Sequence, residues 1–197
     1  MTASATGIRT FIAIPLSHEA RRQLSDAIRS LGSEIPSGVR WVDPEAIHLT
    51  LKFLGDIDPA LVEDLLRAME QAASGSLPFQ LHLDGLGVFP NQRRPRVLWA
   101  GLGGDLDALG ALQEKLEAAM SGLNFPRERR TFNPHLTLGR VRDGVSAVAR
   151  QHVGAVVAMG SLDGADIWPV NAVHLMRSNL TPDGAVYFSL GSVSLCG

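Results

Sequence analysis

The sequence predicts an α+β architecture of two similar lobes packed as one domain, and three observations carry that prediction. Strand-like and helix-like segments alternate in the order β-α-β-β-α-β, and the order then recurs with variations. The tetrapeptide His48-Leu49-Thr50-Leu51 returns unchanged as His135-Leu136-Thr137-Leu138. No proline- or serine-rich linker separates the halves. At 197 residues the chain is long enough for one sizeable core, or for two small lobes sharing an interface.

Each element has its own local reason. Ile8 to Pro15 is an isoleucine-rich run of the kind a buried strand needs. Ser17 is placed to cap a helix whose apolar stripe is Ala20, Leu24, Ala27, Ile28 and Leu31, with Gly32 as its expected end. Val39 to Val42 and Ile47 to Leu54 are strand segments. Asp58-Pro59 opens a second helix, with Leu61, Val62, Leu65, Leu66, Met69 and Ala73 on one face. Phe79, Leu81 and Leu83 alternate with Gln80, His82 and Asp84, the pattern of a half-buried strand. Val97 to Ala100 makes a further strand, and Gly101-Leu102-Gly103-Gly104 reads as the turn into the next helix. That helix runs from about Leu106 to Met120 on Leu109, Leu112, Leu116 and Met120. Phe132 to Val141 holds the second motif strand. Beyond Arg142 the pattern gives a short helix over Val145 to Gln151, then strands at Ala155 to Met159, Val173 to Met176 and Val186 to Leu190. Thr181-Pro182-Asp183-Gly184 marks a hairpin between the last two. Residues 1–7 are expected to be a flexible tail ahead of a single domain over 8–197.

The bulk properties exclude several function classes. A net charge of −2 with 45% hydrophobic residues gives no general basic coat for nucleic acid, so contact with RNA must be local. The lone Cys196 leaves no internal disulfide and no cysteine-based zinc site, which suits a reducing cytoplasm. The apolar run Phe11 to Ile14 is too short for a secretory leader, and no segment approaches the ~20 apolar residues that span a bilayer.

The repeated tetrapeptide carries the chemistry. In an extended chain successive side chains alternate between faces, so each copy presents a histidine and a threonine on one face and two leucines on the other. Imidazole, with an ordinary pKa of ~6.5, both gives and takes protons near neutrality. Two of them facing one substrate divide the work, one as acid and one as base. A threonine two residues along can donate to a phosphate oxygen as charge builds at phosphorus. Two matched pairs suit in-line displacement, where entering and leaving oxygens lie opposite each other. Acyl transfer would want a serine or cysteine nucleophile with its own base. Zinc would need a third ligand, which neither copy of the motif supplies. His18, His82, His152 and His174 stand in no repeated context and read as structural.

Three segments resemble the 2H phosphoesterase superfamily: His48-Leu49-Thr50-Leu51-Lys52-Phe53-Leu54-Gly55, Arg94-Pro95-Arg96-Val97-Leu98-Trp99-Ala100-Gly101 and Pro134-His135-Leu136-Thr137-Leu138-Gly139-Arg140. Within it the chain is similar to the RNA 2′,3′-cyclic phosphodiesterases, also called 2′-5′ RNA ligases. The likeness runs from Arg9 through Trp41-Val42 to the Ser178 to Tyr187 stretch and is weakest over Val141 to Ile167. It implies a pseudo-two-fold bilobal fold with two β-sheet lobes, helices outside and a central cleft. It also implies hydrolysis of a terminal 2′,3′-cyclic phosphate on RNA to a 2′-phosphate, without metal or cofactor, and weak reversible joining of tRNA halves. Carried onto this chain, His48 is the proton donor, His135 the proton acceptor, and Thr50 and Thr137 hold the phosphate. The residues alone leave the division between the two histidines open. Arg140, five residues past His135, stands between a phosphate contact and a strand-end arginine in water.

The implied partner is an RNA end, with no membrane and a monomeric chain in the cytoplasm. Two arginine clusters, Arg93, Arg94 and Arg96, and Arg127, Arg129 and Arg130, are candidates for guiding that RNA. Trp41, Trp99 and Phe11 are large enough to stack a base, but core packing is the expectation for each. The alternatives are a 2H esterase for a small cyclic phosphate and a catalytically inactive module that binds RNA ends.

Overall fold

A computed structural model describes residues 7–162, 166–181 and 184–196. The order is β1 (Ile8–Pro15), α1 (His18–Glu34), β2 (Val39–Trp41), β3 (His48–Ile57), α2 (Val62–Ala73), β4 (Phe79–Phe89), β5 (Val97–Gly104), α3 (Leu106–Gly122), β6 (Leu136–Val141), α4 (Ala147–Met159), β7 (Trp168–Val170), β8 (Ala172–Thr181) and β9 (Gly184–Ser194). The strands form two antiparallel sheets, one ordered β3-β1-β8-β9 and the other β2-β6-β5-β4-β7. The fold is thus α+β and bilobal, but the lobes are not consecutive halves. β2 leaves the first half to pair with β6, and β8 and β9 return from the C-terminal end to β1.

Helices α1 and α4 form where apolar spacing and a serine cap coincide, while α2 and α3 begin without a side-chain cap. Ser17 Oγ accepts from the Ala20 amide at 3.1 Å, and Ala20, Leu24 and Leu31 are buried beneath it. Asp58 caps a single 3₁₀ turn, Pro59–Leu61, before α2 begins at Val62. Leu109, Leu112, Leu116 and Met120 all lie in the core on α3. Helices α2 and α3 pack on each other, against β9 and β3 respectively, while α4 packs on β4 and α1.

Four sequence expectations need correction. Helix α1 runs past Gly32 to Glu34, because Gly32 faces the Trp41 indole and does not act as a cap. Gly101 to Gly104 lie inside β5 and are not a turn: a Cβ at Gly101 would sit 2.3 Å from the Asp84 carbonyl oxygen, so glycine lets β4 pass close. The apolar Ala155 to Met159 run belongs to α4, where Val153 and Val157 are buried one helical turn apart. Strand β6 begins at Leu136, since Pro134 has no amide to donate to a ladder. The expected hairpin joins β8 and β9, with Thr181 opposite Gly184; Pro182 and Asp183 lie outside the described residues, as do residues 1–6 of the expected tail. Among the described residues no helix is long and apolar enough to cross a membrane.

Candidate active site

The two motifs sit on matched strands and are shaped by the same irregularity. Along β3, Thr50 pairs with Ala13 and Lys52 with Ile12, leaving Leu51 as an extra residue. Along β6, Thr137 pairs with Trp99 and Gly139 with Leu98, leaving Leu138 extra. Each motif therefore ends in a bulge at its second leucine, which bends the strand and re-aims the residues beyond it. The leucines anchor the strands, with Leu49, Leu136 and Leu138 at 0% exposure and Leu51 at 3%. His48, Thr50, His135 and Thr137 are half-buried on the opposite faces. Strands β3 and β6 come from different sheets, yet their Cα atoms approach within 8 Å.

The two imidazoles are held alike. His48 Nδ1 lies 3.0 Å from the carbonyl oxygen of Ala46, and His135 Nδ1 lies 2.8 Å from that of Asn133. A carbonyl oxygen only accepts, so each Nδ1 carries the hydrogen and each Nε2 is left with its lone pair. For His48 the carbonyl is supplied by the 3₁₀ turn Pro44–Ala46, itself capped by Asp43 Oδ1 accepting from the Glu45 amide at 3.0 Å.

Their surroundings differ. His48 stacks on Phe11 with centroids 4.5 Å apart and meets the edge of Tyr187 at 4.8 Å. His135 has an edge contact with Phe89 at 5.0 Å. Burial lowers the His48 pKa below the ordinary histidine value, partly offset by the Ala46 carbonyl. Burial also raises the Tyr187 pKa, opposed by the positive charges of Arg140 and Arg9. Arg140 on β6 therefore acts electrostatically on Tyr187, a tyrosine of the other sheet that meets the His48 ring.

The bulges expose a pair of positions that strand alternation alone does not reveal. Counting five residues from each motif histidine gives Phe53 in one lobe and Arg140 in the other. Phe53 pairs with Phe11 and is 70% exposed; Arg140 pairs with Val97 and is also exposed. The pseudo-symmetry is broken here into an aromatic side and a cationic side. Tyr187 is equally hidden in the sequence, because its residue type sits in an ordinary strand pattern and only the sheet order brings it to His48. Of the three aromatics weighed for stacking, Phe11 is buried at 2% exposure, while Trp41 and Trp99 are half-buried. Among the described residues no three His, Cys, Asp or Glu side chains gather into a metal-binding group.

This geometry has close parallels. The LigT-like phosphoesterase family matches residues 14–99 and 105–187, and each stretch holds one motif. A Geobacillus stearothermophilus protein named RNA 2′,3′-cyclic phosphodiesterase is 35% identical over 170 residues, covering 86% of this chain but only 52% of its own length, so this chain spans about half of that relative. One of the same name from Methanothermobacter thermautotrophicus is 32% identical over 185 residues, 91% of this chain and 95% of that protein. A crystal structure from Thermus thermophilus superposes with a TM-score of 0.76 at 32% identity, covering 95% of this chain and 98% of the other. With both motif-bearing stretches matched and relatives aligned along nearly the whole chain, this protein belongs to the LigT-like phosphoesterases, the 2H enzymes that its paired His-Leu-Thr-Leu strands resemble.

Proposed function

We propose that this phosphoesterase opens the terminal 2′,3′-cyclic phosphate of RNA to a 2′-phosphate by acid-base catalysis between His48 and His135. The observation that carries the reading is the matched pair of Nδ1–carbonyl bonds, which leaves both Nε2 atoms free on strands whose Cα atoms approach within 8 Å. The activity named for the relatives supports the substrate. In the step itself, His135 Nε2 takes a proton from water as its oxygen bonds to phosphorus. The P–O3′ bond breaks, and His48 Nε2 delivers its proton to the departing 3′ oxygen. Thr50 and Thr137 donate to the non-bridging oxygens, and Arg140 adds charge as they gain electron density. The histidines end with their protonation exchanged and reset through solvent. With an RNA 5′-hydroxyl in place of water, the same displacement would form a 2′-5′ bond, the route by which this site would also join RNA ends weakly and reversibly.

The Phe53 face takes the terminal base and the Arg140 face takes phosphate, which fixes the strand's direction in an otherwise symmetric cleft. The deciding experiment incubates the purified protein with an RNA oligonucleotide ending in a 2′,3′-cyclic phosphate, in EDTA, and identifies the product. Full activity and a 2′-phosphate are expected. A 3′-phosphate would keep the chemistry and reverse the roles of the histidines. Activity abolished by chelator and restored by zinc or manganese would replace the two-histidine mechanism.

The pH dependence tests the acid and base separately. One histidine must be neutral and the other protonated, so kcat/KM should trace a bell set by the apparent pKa values of the pair. Burial holds His48 low in the free enzyme. An anionic phosphate beside it favours imidazolium and pushes it back up. The limb belonging to the acid should therefore lie at higher pH in kcat than in kcat/KM. A flat profile from about pH 5 to 9 would exclude acid-base catalysis by this pair.

A further inference from the structure

We propose that a groove sharing Arg140 with the candidate active site is a second phosphate-binding site, taking the backbone of single-stranded RNA upstream of the reacting end. The proposal rests on the hydrolytic reading for the direction of the strand, but not for the groove itself. The groove has a volume of about 850 Å³ and is lined by Arg93, Arg94, Arg96, Arg140 and Arg150, with Asp143 as its one acidic residue. For a chain of net charge −2 this is a strong local concentration of positive charge.

The groove is rigidly built. Arg150 spends its guanidinium on structure: Nε donates to the Val145 carbonyl at 3.3 Å, Nη1 to Pro95 at 3.0 Å and Nη2 to Arg142 at 3.0 Å. It thereby staples the loop before β5 to the segment after β6. Asn91 Oδ1 accepts from the amides of Arg93 and Arg94, each at 3.1 Å. Gly154 of α4 lets that loop sit on the helix, since a Cβ there would lie 2.0 Å from the Gln92 carbonyl oxygen.

The other four guanidiniums are left unpaired. Arg21, Arg22, Arg29, Arg67 and Arg127 each form an ion pair with a carboxylate. Among the described residues, Arg93, Arg94, Arg96 and Arg140 have no carboxylate within 4.0 Å, and all four are exposed. Arg140 also stands directly opposite Arg40 in the β2–β6 ladder. Like charges opposite each other in a sheet repel, and an anion between them removes that cost. Along β6, Arg140 lies three residues past Thr137, on the order of 10 Å at ordinary strand rise, so the groove begins where the next phosphates of a bound strand would run. No aromatic side chain lines it, so the groove reads charge and carries no base preference.

The test compares the unsubstituted protein with the triple variant Arg93→Gln, Arg94→Gln, Arg96→Gln. Two measurements are made: binding of a labelled single-stranded RNA hexanucleotide, and turnover of that RNA and of a nucleoside 2′,3′-cyclic monophosphate. The variant should bind the hexanucleotide at least ~10-fold more weakly at low salt. Its log–log salt slope should fall by about 0.7 for each phosphate that is no longer neutralised. KM for an RNA bearing the cyclic phosphate should rise in parallel, with turnover of the mononucleotide unchanged. Unchanged hexanucleotide affinity and salt slope in the variant would overturn the proposal. So would equal losses on the RNA and the mononucleotide. Weakened RNA binding in a protein that hydrolyses neither substrate would uphold the groove and overturn the hydrolytic reading.

Discussion

Replacing either motif histidine by alanine should lower kcat by at least ~10²-fold, the usual scale for losing a general acid or base. The two variants should look alike in rate, because each removes one Nε2 from a cooperating pair. The double variant should be little worse than either single one, since groups that act as a unit are not additive. Their stabilities should differ. His48 stacks on Phe11 and meets the edge of Tyr187, interactions worth about 0.5–1.5 kcal/mol beyond area burial, while His135 has one edge contact with Phe89. His48→Ala should therefore lower Tm more than His135→Ala. Thr50→Val and Thr137→Val should be milder, about tenfold, because one hydrogen bond to a charged group is removed while both proton carriers remain. Steady-state kinetics beside thermal melts of the same preparations read both effects. A folded histidine variant with near-native kcat would exclude the two-histidine mechanism.

The repeat made much of the site legible in the sequence. Strand parity alone put His48 with Thr50 and His135 with Thr137, each pair opposite its leucines, and the burial of all eight residues follows that division. Ser17 and the α3 stripe also acted as their chemistry dictates, while Asp58 caps a 3₁₀ turn ahead of α2 and not α2 itself. The features that escaped depend on packing between distant segments. The glycines of β5 look like a turn until β4 lies over them, and the Ala155 to Met159 run looks like a strand until α4 buries one of its faces. The bulges at Leu51 and Leu138 leave no mark in composition, because they exist only relative to a partner strand. Without them, simple alternation turns Phe53 and Arg140 away from the motif face. Lys52 shows the same limit, since a lysine within a strand is exposed by default expectation.

Breaking the Lys52–Glu117 pair should be among the most destabilising single changes in the fold. The bulge at Leu51 turns Lys52 inward, where both residues are 5% exposed. Lys52 Nζ lies 2.7 Å from Glu117 Oε2 and 3.0 Å from the Pro126 carbonyl oxygen. Glu117 Oε2 also accepts the Glu128 amide at 3.2 Å, and Gln113 Nε2 reaches both Glu117 Oε1 and the Leu51 carbonyl at 3.4 Å. The network thus ties the first motif's bulge to α3 and to the segment that leads into His135. Lys52→Met leaves a carboxylate buried without its cation, and Glu117→Leu leaves an ammonium in the same position. Each should cost about 3–5 kcal/mol, because an uncompensated buried charge loses both hydration and partner. In a protein of this size that lowers Tm by roughly 6–20 °C. The double variant should regain most of the loss, as apolar pairs commonly replace buried ion pairs at little cost. Recovery should stop short of complete, since the Glu128 amide and the Pro126 carbonyl lose their partners. The double variant's kcat should also stay below that of the unsubstituted protein after stability returns, because the approach to His135 is no longer held to the first motif strand. Denaturant unfolding of the four proteins gives the coupling energy directly. Single variants within about 1 kcal/mol of the unsubstituted protein, the range of a solvated surface pair, would mean that the pair does not hold the first motif strand to α3.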